Sequence, residues 1–224
     1  IENAAGHIFT ASLISVPAAV LLARLMMPAE ANSAGLEAAA EAGKIPAPIY
    51  NSSMDALTTG VSDGMRLYFN IIFMLLVFTA LVALANVLLA LLPDIHGAPL
   101  SADRILGWLF APIVWLAGIP WEEATTAGAL MGLKTALNEI YAYDQLAGLG
   151  DALSPRSNLI MTYALCGFAN FASVGILTGG LVAIAPSRRE DILNLAPKAL
   201  ISGTLATLMT GAAIGVFPMS LFGS

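Results

Sequence analysis

The sequence predicts an all-α polytopic membrane protein, in which spanning helices accompany a re-entrant helical hairpin and an unwound transmembrane helix. Of its 224 residues, 58% are hydrophobic and only 11% are charged, whereas about 25% are charged in a typical soluble domain. Some apolar segments reach the roughly 20 residues that a helix needs to cross a bilayer. Others are interrupted by proline, glycine or polar residues, and these interruptions predict the hairpin and the unwound helix.

The composition also narrows the range of partners. There are 15 acidic and 9 basic residues, which give a net charge of −6. The longest basic run is Arg188-Arg189, so we expect no nucleic-acid partner. Cys166 is the only cysteine, which leaves no intrachain disulfide and no thiolate metal site. His7 and His96 lie far apart in the sequence, and we expect no metal site.

The chain begins with a predicted transmembrane helix at 1–28, because its apolar stretch 8–27 is long enough to span. The next segment, 29–66, starts with small and polar residues that predict a loop or a short surface helix up to residue 49. Over 51–66, apolar residues recur at intervals of three and four, which predicts an amphipathic helix at the membrane interface. A soluble protein could show the same pattern, but the apolar neighbour at 67–93 favours a membrane.

That neighbour is the clearest spanning helix in the sequence. Residues 71–92 contain only Thr79 and Asn86 as polar interruptions, and Pro93 follows. The even distribution of leucine, valine and phenylalanine is typical of a scaffold helix that faces lipid or another subunit.

The segment 102–143 predicts a re-entrant hairpin. Its first part, 105–119, has no charge but is too short to cross a hydrocarbon core of about 30 Å. Gly118 and Pro120 then interrupt the chain. The Pro-Trp-Glu-Glu sequence from Pro120 to Glu123 suits the start of a second helix, because proline and carboxylates are favoured there. We therefore expect acidic residues at the hairpin tip.

The second arm of this hairpin carries polar residues at helical spacing. Glu123, Met131, Thr135 and Glu139 fall near one stripe of the arm, and Thr126, Lys134 and Asn138 fall on the adjacent stripe. Ionisable groups at membrane depth usually face a protein interior or a watery cavity, so this face is a candidate site. The alternative is a surface helix whose polar face is solvated.

The segment 157–185 predicts a broken transmembrane helix, because Gly167, Asn170 and Ser173 interrupt an otherwise apolar stretch. Asn170 and Ser173 lie three residues apart on one helix face, and an amide in hydrocarbon needs partners. We therefore assign both to a candidate site. A final span is predicted at 197–217.

Three motifs resemble the concentrative nucleoside transporters. Residues 132–143, GLKTALNEIYAY, resemble the family signature G-x-K-x-x-x-N-E-F-V-A-Y, with Ile-Tyr in place of Phe-Val. Residues 120–124, PWEEA, are similar to the family's P-W-N-E-A, and residues 163–173, YALCGFANFAS, to its A-L-C-G-F-A-N-x-S-S segment. The resemblance extends from about 6 to 215, and we expect the chain to be the C-terminal half of such a transporter.

The resemblance implies a secondary active symporter for nucleosides, embedded as a multi-pass protein in the plasma (inner) membrane. It implies that the ribose hydroxyls are held by Glu123, Asn170 and Ser173, with Phe168 lining the pocket. It also implies that Lys134, Asn138 and Glu139 support coupling or shape the hairpin. Lys134 is expected to hold Glu139 or a helix carbonyl. Glu122 stands where the family has asparagine.

The resemblance further implies a homotrimer, with 71–92 near a subunit interface. It implies no cofactor besides co-transported Na⁺ or H⁺, whose site is expected mainly in an N-terminal half.

Two other classes of function remain open from the sequence. An intramembrane enzyme could use Glu123 and Glu139 as paired carboxylates, although no zinc-protease or serine-nucleophile motif is present. A channel or structural membrane subunit would explain the spans but would leave the polar hairpin face unused.

Overall fold

The computed structural model describes residues 4–28, 50–95 and 97–222. These residues form α-helices and short 3-10 turns and contain no strand, which confirms the all-α fold class. The predicted loop at 29–49 lies outside the described residues. The helices are α1 (Ala4–Met26), α2 (Ser53–Leu89), α3 (Ala102–Leu116), α4 (Trp121–Ala136), α5 (Glu139–Gly148), α6 (Pro155–Leu165), α7 (Phe171–Ile184) and α8 (Arg189–Val216).

Two helices within the described residues are long and apolar enough to cross a membrane, Ala5–Met26 and Arg189–Val216. Arg104–Leu116 and Trp121–Ala136 would make a third if taken as one bent span. Thr79–Leu89 and Phe171–Val182 are shorter apolar helices. The predicted full span at 71–92 stays a prediction, because the side chains of this stretch are only partly described.

The amphipathic segment 51–66 and the span after it are one continuous helix, whereas the sequence predicted two. Helix α2 runs for 37 residues from Ser53, and its N-cap is Ser52, whose hydroxyl accepts a hydrogen bond from the Asp55 N–H at 3.1 Å. The helix continues because no proline occurs between Ser53 and Leu89. Glycine costs only about 1 kcal/mol relative to alanine in a helix interior, so Gly60 and Gly64 do not end it.

The chain turns sharply between α3 and α4, where it is bent by 118°. Gly118 lies at the turn with φ +104°, a left-handed conformation that favours glycine. The two helices pack extensively against each other through small residues. A Cβ atom added at Gly128 would lie only 2.5 Å from the Gly107 carbonyl oxygen and 2.8 Å from the Ala111 nitrogen. Glycine at 128 therefore lets the two backbones approach.

The second arm of the predicted hairpin is not a single helix. Helix α4 ends at Ala136 and α5 begins at Glu139, with Asn138 as its N-cap. The single polar stripe from Glu123 to Glu139 is therefore wrong, because helical periodicity does not continue across Leu137 and Asn138. The cause is local: the Asn138 side chain accepts a hydrogen bond from the Tyr141 N–H at 2.9 Å and so starts a new helix.

The segment predicted as an interrupted span forms two helices, α6 and α7, separated by residues 166–170. Helix α8 begins at Arg189, eight residues before the predicted start of the last span. Glu190 and Asp191 in its first turn suit the positive end of the helix dipole, and Pro197 is accommodated inside it. The residues 189–196, which precede the predicted span, are thus also helical.

Helices α6 and α8 form the second close contact of the core. A Cβ at Gly211 of α8 would lie 2.7 Å from the Ile160 carbonyl oxygen. Helix α8 also packs against α1 and α7, and α6 packs against α4 and α5. The two broken regions, 137–138 and 166–170, consequently lie within one packed group of helices.

The α3–α4 contact generates a stability prediction for the complete transporter. Gly128→Ala should lower the free energy of unfolding by about 1–3 kcal/mol, because the new methyl group meets backbone atoms that cannot move aside. Gly60→Ala is the matched control, since a Cβ there meets nothing within 4 Å in the described chain. The measurement is thermal unfolding of the purified variants. Equal melting temperatures for the two would contradict the close contact.

Candidate functional site

The break between α6 and α7 is organised by a capping box at the start of α7. The Asn170 side-chain oxygen accepts from the Ser173 N–H at 2.7 Å, and the Ser173 hydroxyl oxygen accepts from the Asn170 N–H at 3.0 Å. Both residues are buried, with Asn170 only 1% exposed. Two N–H groups at the start of α7, those of Asn170 and Ser173, are therefore satisfied by the two polar residues that the sequence singled out.

The carbonyl groups at the end of α6 are satisfied by side chains from α4 and α5. The Cys166 N–H donates to Tyr163 rather than to Thr162. The Thr162 carbonyl instead accepts from the Tyr143 hydroxyl at 2.6 Å. The Ala164 carbonyl accepts from the Lys134 ammonium at 2.9 Å. Lys134 thus holds a helix carbonyl, one of the two partners expected for it.

Lys134 is fully buried and links three helices. Besides Ala164 of α6, its ammonium donates to the Thr207 hydroxyl of α8 at 2.7 Å. Gly167 lies beside this cluster, and a Cβ added there would be 2.2 Å from the Thr207 γ-methyl carbon. Glycine at 167 therefore lets the broken segment pass close to α8.

The order of contacts along α6 shows how α4 and α5 are arranged. The Ser154 hydroxyl, at the start of α6, donates to the Glu123 carboxylate at 3.1 Å, and Lys134 contacts the end of α6, so α4 runs in the same direction as α6. Helix α5 runs in the opposite direction, because Glu139 lies by Asn170 and Tyr143 by Thr162. Helices α4 and α5 thus form a helical hairpin whose tip is at 137–139.

The predicted acidic tip at 118–123 therefore lies at the other end of α4. Eleven residues separate Glu123 from Lys134, a helical rise of about 16 Å. Glu123 is partly buried against the start of α6, whereas Glu139 faces the break before α7. The two carboxylates do not form a pair.

Glu139 and Asn170 meet where α5 and α7 begin. The Asn170 amide nitrogen is 3.4 Å from a Glu139 carboxylate oxygen. A cleft of about 80 Å³ opens there, lined by Leu137, Asn138, Glu139, Ile140, Phe168, Asn170, Ala172 and Ile176. Phe168 is 56% exposed and also lines a larger cavity of about 390 Å³ that reaches α1 and α8. A carboxylate, an amide and an aromatic ring thus border one opening.

Comparisons with known proteins identify the family of this chain. Residues 7–215 match the family described as "Na+ dependent nucleoside transporter C-terminus". The chain belongs to this family. It is 36% identical to the nucleoside permease NupC of Helicobacter pylori and 37% identical to solute carrier family 28 member 3 of Mus musculus, over 94% of this chain in both cases.

A solved structure of the transporter CNTnw in an intermediate state is also similar, with a TM-score of 0.78 and 34% identity over 93% of this chain. The chain spans 50% of NupC, 32% of the mouse protein and 50% of that CNTnw chain. These relatives are transporters, so the chain is a membrane transporter segment and not an enzyme.

The structure of this nucleoside transporter family member brings together most of the predicted site residues: Lys134, Asn138, Glu139, Phe168, Asn170 and Ser173. It does not place Glu123 with them. Tyr143 and Thr207, which hold the broken segment in position, were not predicted from the sequence. Tyr143 is the last residue of the family signature, and that position was a usable signal. Thr207 lies in an ordinary apolar helix and gave none.

The capping box generates a second prediction. In the complete transporter, Asn170→Ala should lower the free energy of unfolding by about 1 kcal/mol, because it removes the N-cap of α7. Asn170→Ser should stay within a few tenths of a kcal/mol of wild type, because serine is also a good N-cap. Thermal unfolding of both purified variants measures the difference. Equal destabilisation by both would show that the cap is not what Asn170 contributes.

Proposed function

We propose that this chain is the ribose-binding, C-terminal part of a cation-coupled nucleoside symporter. The observation that carries the proposal is the meeting of Glu139 and Asn170 at the N-termini of α5 and α7, beside the exposed ring of Phe168. Polar groups at the ends of discontinuous helices are typical of substrate sites in secondary transporters. Family membership supports a nucleoside as the substrate.

The chemistry of the two groups suits a vicinal diol. An ionised carboxylate accepts two hydroxyl hydrogen bonds, so Glu139 can receive both ribose hydroxyls. The Asn170 amide nitrogen is a donor that a ribose oxygen can accept from, while its side-chain oxygen is already used by the cap. Phe168 offers an apolar face against which the sugar or the base can pack.

The remaining predicted residues act as positioning residues. Ser173 and Asn138 cap α7 and α5, and Lys134 fixes the end of α6. Glu123 was expected to hold the ribose, but its contact with Ser154 favours a different role. We assign Glu123 to the attachment of α4 to the start of α6, and Glu139 to the ribose.

The two broken segments also suggest how the chain lies in the membrane. The α4–α5 hairpin is proposed to be re-entrant, and the α6–α7 pair to be a transmembrane helix unwound at residues 166–170. Isolated backbone polar groups are tolerated at membrane depth only where protein or water satisfies them, and both breaks have such partners. We further propose coupling to Na⁺ or H⁺, assembly as a homotrimer and a location in the plasma (inner) membrane, all on the basis of the family resemblance.

This assignment predicts different effects for two carboxylates. In the complete transporter, Glu139→Gln should weaken nucleoside binding at least about tenfold, because one charge-assisted hydrogen bond is worth about 1.5–3 kcal/mol. Glu123→Gln is the matched control and should change binding less than about threefold, since it leaves the ribose contacts in place. Binding is measured by calorimetry and compared with uptake in vesicles.

A double cycle with the ligand identifies the contact. A 2′,3′-dideoxynucleoside should bind wild type more weakly than the parent nucleoside, and this loss should shrink in Glu139→Gln. It should persist unchanged in Glu123→Gln. A loss that shrinks only in Glu123→Gln would assign the ribose to Glu123, as the sequence first indicated. Additive losses in both variants would show that neither carboxylate contacts the sugar.

A further inference from the structure

Lys134 occupies an unusual position for a charged side chain. It is 0% exposed, and its ammonium donates to only two described acceptors, the Ala164 carbonyl at 2.9 Å and the Thr207 hydroxyl at 2.7 Å. Both are neutral oxygens. Among the described residues, no carboxylate lies within the 4.0 Å of an ion pair with this ammonium. A buried charge without a contacting counter-ion needs another source of stabilisation.

Two helix ends supply that stabilisation. Lys134 is in the last turn of α4, and Ala164 is in the last turn of α6. The C-terminal end of a helix carries partial negative charge, because its last carbonyl groups have no partners within the helix. The Lys134 ammonium therefore lies between the negative ends of two helices. It also contacts the Ala164 carbonyl, next to a helix break, and the Thr207 hydroxyl.

In secondary transporters, carbonyl groups of unwound segments and helix C-termini are the groups that coordinate dissociable cations. We propose that the Lys134 ammonium is a built-in cation, which occupies the oxygen-lined position between α4, α6 and α8 that a monovalent cation would otherwise fill. The lysine ammonium is a compact point charge with three donors, and it meets the same oxygen atoms. A coupling ion of the complete transporter therefore binds elsewhere.

The test removes the Lys134 ammonium by substitution and supplies small cations as salts in the buffer. Lys134→Ala and Lys134→Ser open space for an ion in the complete transporter, whereas Lys134→Met removes the charge but keeps the space filled. Each variant is purified in N-methyl-D-glucamine, sodium, potassium or methylammonium chloride at constant ionic strength, without nucleoside. The measurements are the fraction recovered folded by size-exclusion chromatography and the melting temperature.

We expect the alanine and serine variants to gain a dependence on at least one small cation that exceeds any dependence which wild type and Lys134→Met show through the coupling ion. The melting temperature should rise by roughly 2 °C for each tenfold increase in that cation, as binding to the folded state requires. Adding Thr207→Val to Lys134→Ala should abolish the gain, because it removes one of the two oxygen ligands.

Parallel cation dependence in the alanine, serine and methionine variants would overturn the proposal. So would failure to recover the alanine and serine variants folded in any of the four salts, because a free cation should replace the tethered one. The readout needs no nucleoside, so this result is independent of whether Glu139 binds ribose.

Discussion

A helix that stops in apolar surroundings leaves N–H and C=O groups without partners, and satisfying these groups is the constraint on which this structure depends. At both breaks the N–H groups are capped by asparagine, Asn138 for α5 and Asn170 for α7. The carbonyl groups at the end of α6 are satisfied by Tyr143 and Lys134. Each break is thus completed by residues of the other broken segment or of its own cap. The end of α6, in particular, depends on side chains from α4 and α5.

The same arrangement places the positive and the negative side chain at different helix ends. The ends of α4 and α6 are helix C-termini and meet at the Lys134 ammonium, whereas the starts of α5 and α7 are N-termini and meet at the Glu139 carboxylate. Each charged side chain therefore lies at helix ends of opposite polarity. Since α5 follows α4 after two residues, both charges belong to one hairpin tip. The polar groups that a substrate can contact are consequently held in place by the backbone.

The sequence allowed some of these features to be predicted and not others. The turn at Gly118 carries glycine and proline, and the break around Gly167 and Asn170 carries glycine and an amide within an apolar segment. Each combination is a direct local signal. The break at 137–138 has neither glycine nor proline. The prediction therefore continued one helix through it and placed Glu139 on the wrong stripe. Asn138 as an N-cap was the available signal. The contact of Lys134 with Thr207 joins residues 73 apart in sequence, and no local pattern could predict it.

The hairpin is attached to α6 along its whole length, and this limits how the site can move. Glu123 contacts Ser154 at the start of α6, and Lys134 contacts Ala164 at its end, so both ends of α4 are fixed to the same helix. Tyr143 adds a contact from α5. Sliding of the hairpin along α6 would break these hydrogen bonds and expose the Lys134 charge to apolar surroundings. These hydrogen bonds therefore hold the hairpin, helix α6 and the cleft at Glu139 together as one group.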